Sequence, residues 1–202
     1  MAHPERLPDR DAAIDAMLAH VPFDGWTRRA LQAGLRDVGM PADEADILFP
    51  GGAAEMIAVF CDLADRRMGD AAQGLTETKL TARVRAVMSL RLRMNRPHRE
   101  AIRRALGVLA LPGHTHEAAA ITARTVDAIW HAAGDRSADF SWYTKRAILT
   151  AVYGATLLFW LRDTSDLDSD TIEFMDRRLR DVGRIGKARS RIEARLARLR
   201  PA

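Results

Sequence analysis

The sequence predicts an all-α fold, and three observations predict it. Apolar residues recur at three- and four-residue steps in almost every segment. No segment sustains the period-two alternation of a half-buried strand. Ala, Leu and Arg are abundant while aromatic residues make up only 6% of the 202 residues, a composition of good helix formers. With 48% apolar residues the chain can bury a substantial core, as one domain or one domain with appended pieces. The single cysteine, Cys61, excludes a disulfide framework within the chain and a cysteine-based zinc site, and fits a reducing compartment.

The elements follow in order. A first helix is expected from about Asp9, with Ile14, Met17, Leu18 and Val21 on one face. Gly25-Trp26-Thr27 makes a turn, and the Thr27 hydroxyl is placed to accept from an orphan amide of the next helix. That helix, TRRALQAGLRDVG, turns Ala30, Leu31, Leu35 and Val38 inward, and Gly39 stands just past its end. A short acidic helix is expected at 42–49. PGGAAEMIAVFCDLADRRM then opens a longer helix with Ile57, Phe60, Ala64 and Met68 on one stripe. A basic amphipathic helix near 77–95 carries Leu80, Val84, Val87, Met88 and Leu92, and Pro97 starts another through Ile102, Ala105, Leu106 and Leu109. Longer helices are expected near 116–133, 139–162 and 170–183, the seventh to ninth. A last amphipathic segment runs from about Gly186 to Arg200.

Helix, capped short helix, tight turn, shorter helix and long connecting helix is the grammar of a helix-turn-helix. On HVPFDGWTRRALQAGLRDVGM and ILFPGGAAEMIAVF the chain resembles the amino-terminal part of TetR-type regulators. That resemblance implies a ligand pocket in the helices behind, and dimerisation through the last long helices. The segment where a reading helix should lie, PADEADILFP, carries Asp43, Glu44 and Asp46 and no Lys or Arg. DNA affinity is dominated by phosphate neutralisation, so three acids between two phosphate rows add repulsion. Base-reading Arg, Gln and Asn are missing there as well. The expectation is a packing element with no nucleic acid partner. The alternative is a TetR-type DNA-binding transcriptional regulator with phosphate contacts on Arg28, Arg29 and Arg36.

The most specific stretch is VDAIWHAAGDRSADFSWYTKRAILTAVYGATLLFWLRD, Val126–Asp163. It contains Asp127, Trp130-His131, Ala133-Gly134-Asp135, Ser137, Asp139-Phe140, Trp142-Tyr143-Thr144 and Lys145-Arg146, continued by Tyr153, Thr156, Asp163 and Ser165. On these residues it resembles the lipid-binding accessory family of ubiquinone (coenzyme Q) biosynthesis, the ninth component of that pathway's protein set, itself a TetR-like fold. The resemblance covers about residues 12–185. It departs at Ala138, where Thr is common, and in a more basic carboxy-terminal helix.

Two stripes within the stretch repeat one arrangement. Asp127-x-x-Trp130-His131 and Asp139-x-x-Trp142-Tyr143 each put an acid and two rings on one helix face, and Arg146 extends the second. Singly these have plainer readings, Asp139 as an N-cap and Trp130 as core. Together, Trp, Tyr and Arg bracketed by acids make a partner surface. The resemblance implies that it docks the di-iron hydroxylase acting on demethoxyubiquinone, a role carried to Asp127, Trp130, Asp139, Trp142, Tyr143 and Arg146. AILTAVYGATLLFWL is apolar around the whole helix and must be covered on every side, by core, a second subunit or lipid. The lipid-lining candidates are Met88, Tyr153, Leu157, Leu158 and Trp160.

Charge is uneven along the chain. From Arg177 to the end there are ten Lys and Arg against two acids, while the rest carries 21 against 25. The tail helix sets Ile185, Ile192, Leu196 and Leu199 beside Lys187, Arg191 and Arg195, a pattern suited to an anionic membrane surface. The longest uncharged run, Ala147–Leu161, is fifteen residues, short of the ~20 that span a bilayer. MAHPERLPDR reads as neither a signal peptide nor a mitochondrial presequence. The expected organisation is therefore a degenerate helix-turn-helix part at 1–68, lipid-binding and dimerisation helices at 69–183, and a basic amphipathic helix at 184–202. The expected protein is a homodimeric, non-enzymatic lipid carrier without cofactor or metal. Its partners are an isoprenoid quinone lipid, the hydroxylase and a membrane surface. Its expected setting is the bacterial cytoplasm, peripheral to the inner membrane.

Overall fold

The structure, a computed structural model, describes residues 3–135 and 141–182, with only the backbone of residues 141 and 142. All regular structure among the described residues is helical. The chain divides into two compact units, Met1–Ser137 and Ala138–Ala202. Residue 68, the expected end of the helix-turn-helix part, lies inside a continuous helix of the first unit.

In the first unit, α1 (Pro8–Met17) begins with proline and carries Asp9 and Asp11 in its first turn, favourable at the positive end of the helix. It stops at Leu18, and Val21 belongs to a separate one-turn helix, α2 (Val21–Asp24). Pro22 is the physical reason, because its ring opposes the carbonyl four residues back and it donates no amide. Trp26 is buried, donates from Nε1 to the Ala101 carbonyl at 2.8 Å, and meets the Phe60 ring at 5.5 Å between centroids. The Thr27 hydroxyl accepts from the Ala30 amide at 3.2 Å, the cap expected for α3 (Arg28–Asp37).

That helix ends as its glycine implied. Gly39 has φ +73°, its amide donates to Arg36 O at 3.1 Å, and the Met40 amide donates to Leu35 O at 2.9 Å. These are the paired bonds of a Schellman motif. Val38, expected inward, is instead 49% exposed. As the C-cap residue it has left the helical path, so its direction no longer follows the helix's buried face. Gly34 lies where α1 and α3 cross, with room for no more: a Cβ there would stand 2.5 Å from the Met17 amide nitrogen.

The acidic segment forms a 3-10 turn at Ala42–Glu44 and then one turn of α-helix, α4 (Ala45–Leu48). Ala45 and Phe49 anchor it, while Ile47 is 79% exposed. The long α5 (Gly52–Ala72) follows, its start closed by Glu55, which accepts from the Gly51 amide at 2.8 Å. The same carboxylate pairs with Arg10, a buried arginine that also lies 4.7 Å over the Phe49 ring.

The unit is completed by α6 (Leu80–Met94), α7 (Arg99–Leu109) and α8 (Thr115–Ala132). Pro97 sits in a 3-10 turn, Arg96–His98, just before α7.

The second unit holds α9 (Ser141–Trp160) and α10 (residues 169–182). No single described helix is long and apolar enough to cross a membrane.

Candidate functional site

Three places bear on function, and each is built by local sequence. The first is the surface of the helix-turn-helix part. Arg28 on α3 is ion-paired with Asp46 on α4, and Arg29 with Asp24 at 3.3 Å. Asp37, at the end of α3, accepts from the His20 ring at 2.6 Å. Two of the three arginines available for phosphate contacts are thus answered by acids of the same unit. The acidic residues oppose DNA and also cancel the nearest cations.

The second is the region where α5, α6 and α8 meet. Asp65 of α5 is buried, ion-paired with Arg91 of α6, and accepts from the Thr125 hydroxyl of α8 at 2.9 Å. Burial pushes its carboxyl upward against the opposing pull of Arg91 and Thr125. One turn earlier, Asp62 accepts from Arg6 Nε at 3.0 Å and Nη2 at 2.8 Å, from His3 at 3.1 Å, and from Arg66 Nε at 3.0 Å. Burial would raise Asp62, but the hydrogen bonds from Arg6, Arg66 and His3 prevail and hold it below the ordinary carboxylate range. Arg66 also reaches both oxygens of Asp11 at 2.7 and 2.8 Å. Burial pushes the Cys61 thiol up to about 12, so it is no nucleophile at neutral pH.

A groove of about 450 Å³ opens over Asp62, Asp65 and Arg66, and its lining mixes charged side chains with the small residues Gly69, Ala72, Ala128 and Ala132. A second, smaller cavity of about 50 Å³ lies against Phe60, Leu63 and His98. Met88, expected to line a lipid pocket, borders neither and is fully buried in the first unit.

The third is the motif stretch. On α8, Asp127 and His131 are exposed and Trp130 is half-buried. The Ala-Gly-Asp run that follows is a helix terminus. Gly134 has φ +82°, its amide donates to His131 O at 2.9 Å, and the Asp135 amide donates to Trp130 O at 3.1 Å. Arg83 of α6 seals the same end, donating from Nε to Ala133 O at 2.9 Å and from Nη2 to Ala132 O at 3.3 Å.

On α9, Tyr143 is 70% exposed, Leu158 60% and Ile148 38%. Ala147 and Ala151 are exposed between them, and a Cβ at Gly154 would meet nothing within 4 Å. Tyr143, Ala147, Ala151, Gly154 and Leu158 recur at three- and four-residue steps, so α9 carries an exposed stripe of small and large residues about 22 Å long at 1.5 Å per residue, with Ile148 at its flank. Arg146 is half-buried in the same helix.

Of the other expected lipid-lining residues, Tyr153 and Trp160 are buried, Leu157 is half-buried and Leu158 stands on the stripe. Trp160 Nε1 donates to Asp168 at 3.2 Å. Asp163 closes the turn into α10, accepting from the Ser165 amide at 2.8 Å, the Ser165 hydroxyl at 2.6 Å and the Thr171 amide at 2.8 Å. Asp163 and Ser165 are therefore a helix cap.

Asp139, the Trp142 side chain and the tail residues Ile185, Lys187, Arg191, Ile192, Arg195, Leu196 and Leu199 lie outside the described residues. Sequence reasoning missed the buried Asp62, Asp65 and Arg91. The available signal was two acids set among apolar residues in FCDLADRR.

Comparison with known proteins adds a family and a fold. The COQ9 family model matches residues 115–186. The chain is 36% identical over 182 residues to "Ubiquinone biosynthesis protein COQ9-A, mitochondrial" of Xenopus laevis, covering 86% of this chain and 57% of that protein. It is 32% identical over 190 residues to the Homo sapiens protein of the same family, covering 90% of this chain and 59% of that one. The chain thus spans somewhat under two thirds of the length of these curated relatives.

A TetR transcriptional regulator from Nitrosomonas europaea superposes with a TM-score of 0.68 at 23% identity, covering 86% of this chain and 97% of that one. It supports the TetR-like fold, and at that identity the fold alone. The relatives correct one expectation. The frog, rat and human proteins are named as mitochondrial, which overturns the placement in a bacterial cytoplasm.

Proposed function

The chain belongs to the COQ9 family, and from that premise we propose that it is a non-enzymatic, lipid-binding accessory protein of ubiquinone biosynthesis. In this reading it takes an isoprenoid quinone precursor at a membrane surface and presents the head group to the di-iron demethoxyubiquinone hydroxylase. An isoprenoid tail is held in a bilayer by its apolar area, at roughly 25 cal/mol per Å², so an enzyme acting from outside benefits from a carrier that covers the tail.

The observation that carries the reading is the exposed stripe of α9. Tyr143 and Leu158 are large side chains mostly exposed on one helix face, and Ile148, 38% exposed, lies at its flank. Such a patch marks an interaction site. The small residues Ala147, Ala151 and Gly154 between them let a partner backbone or a chain of methylenes come close. The stripe begins at Tyr143, which supports hydroxylase docking at its start and lipid or a second subunit along its length. The repressor alternative loses support at its own contact residues, because Arg28 and Arg29 are paired with Asp46 and Asp24.

The direct test is Tyr143→Ala. Its side chain is largely exposed, so the unfolding free energy should stay within about 0.5 kcal/mol of the parent. Affinity for the hydroxylase, measured by titration calorimetry, should fall at least about tenfold, the scale of an aromatic hot spot. Unchanged affinity would remove the docking assignment.

A further inference from the structure

The last turn of α8 is closed from outside the helix, and the closure reaches a second segment of the chain. An α-helix leaves its last carbonyls without amide partners of its own. In α8 the following turn supplies three bonds. The Ala133 amide donates to Ile129 O at 2.9 Å, the Gly134 amide to His131 O at 2.9 Å and the Asp135 amide to Trp130 O at 3.1 Å. The next two carbonyls are taken by Arg83, in the first turn of α6, which donates from Nη2 to Ala132 O at 3.3 Å and from Nε to Ala133 O at 2.9 Å. Its third nitrogen, Nη1, donates to Glu77 O at 3.2 Å and Leu75 O at 3.4 Å, in the segment that joins α5 to α6. One guanidinium thus fastens the end of α8 and the α5–α6 connection to the start of α6.

The local sequence suits this clamp. Gly134, at φ +82°, carries no side chain where the chain passes Arg83, and Ala133 is small and buried. A cation is favourable at the negative end of a helix. Bonds leave from all three nitrogens of the planar group, an arrangement that the single point of a lysine ammonium does not reproduce. The clamped turn also carries Trp130 and His131, and Asp127 stands one turn earlier. A helix end frays when its terminal bonds are lost. Side chains that must be re-ordered on binding then weaken association.

We propose that Arg83 is a positioning residue for partner docking, acting through the α8 carbonyls to hold Asp127, Trp130 and His131 in one fixed arrangement. The proposal rests on the hydroxylase-docking reading and adds to it a residue outside the motif stretch.

The test is titration calorimetry of the full chain with the purified hydroxylase, well below the melting temperature of every variant, beside hydrogen exchange read by mass spectrometry. Arg83→Gln should weaken binding about five- to tenfold, the scale of re-ordering one or two side chains. Its faster exchange should be confined to residues 74–79 and 130–135. Arg83→Lys, which keeps a cation at the helix end, should fall between Arg83→Gln and the parent, and serves if Arg83→Gln does not fold. Gly34→Ala is the control for lost stability alone, because it strains the contact of α1 with α3 and leaves α8 untouched. It should bind as the parent does. Parent-like affinity in Arg83→Gln and Arg83→Lys overturns the proposal. So does a loss in Gly34→Ala equal to that in Arg83→Gln, or faster exchange throughout the first unit. Tyr143→Ala, titrated in the same series, separates the two readings. A loss there with none in the Arg83 variants removes Arg83 alone, whereas a parent chain that does not bind the hydroxylase removes the docking reading and the proposal with it.

Discussion

At the scale of single residues, Asp163 shows how one carboxylate joins two helices. It caps the start of α10 through the Ser165 and Thr171 amides and accepts from both hydroxyls. Burial would raise its carboxyl, yet the bonds from Ser165 and Thr171 prevail and bring it down to about 2. A carboxylate depressed in the folded state contributes stability above its unfolded value, near 3.9, and loses it as pH falls towards 2. A series of thermal melts from pH 5 to pH 2 should therefore be steeper in the parent than in Asp163→Asn. Parallel curves would contradict the capping account. Gly34 makes a different residue-scale prediction. A methyl group at this position meets the Met17 backbone at 2.5 Å, so Gly34→Ala should cost about 1–3 kcal/mol in urea unfolding. Much at this scale was legible in the sequence. Thr27, Gly39 and Gly134 act locally, and their roles follow from spacing. The Arg28–Asp46 and Asp62–Arg6 pairs were not legible, because partners far apart in the chain meet only after folding.

At the scale of elements, helix positions followed from apolar periodicity, and the exceptions have local causes. Pro22 splits off α2 from α1. The acidic segment is too short to be more than a 3-10 turn and one helical turn. What periodicity could not give is the polar bolt through the first unit. Asp65, Arg91 and Thr125 come from α5, α6 and α8, and all three are buried. Removing one partner of such a pair leaves the other charge buried and unanswered. Asp65→Ala should lower unfolding stability by about 3–5 kcal/mol. Asp65→Leu combined with Arg91→Met should recover much of that loss, because a packed apolar pair of similar volume replaces both charges. Equal losses in the single and double variants would mean that Asp65 stabilises through something other than the ion pair. The same logic limits what α9 revealed in advance. Its sequence is apolar all round, which fixes that it must be covered but not by what. The structure narrows the question to one stripe, from Tyr143 to Leu158.

At the scale of the whole molecule, the chain combines a TetR-like fold with membership of the COQ9 family. The fold explains why a helix-turn-helix is present, and its charges argue against DNA reading. Three acids occupy the probe, and two nearby arginines are paired. A gel-shift series against random duplex DNA should accordingly give weak binding that disappears as salt rises, without a sequence-specific plateau. Tight, sequence-dependent binding at physiological salt would favour the regulator reading. The family was legible because its motif is long and irregular, though several of its residues are helix ends rather than contact groups. The groove was not legible, since its walls are brought together only by packing. The central claim is that this scaffold grips isoprenoid lipid. Its most direct test is mass spectrometry of lipids extracted from the purified full chain, with Leu158→Glu as the comparison. The account predicts an isoprenoid quinone or precursor in the parent and its depletion in the variant, whereas a parent chain free of isoprenoid lipid after purification from quinone-producing cells would contradict it.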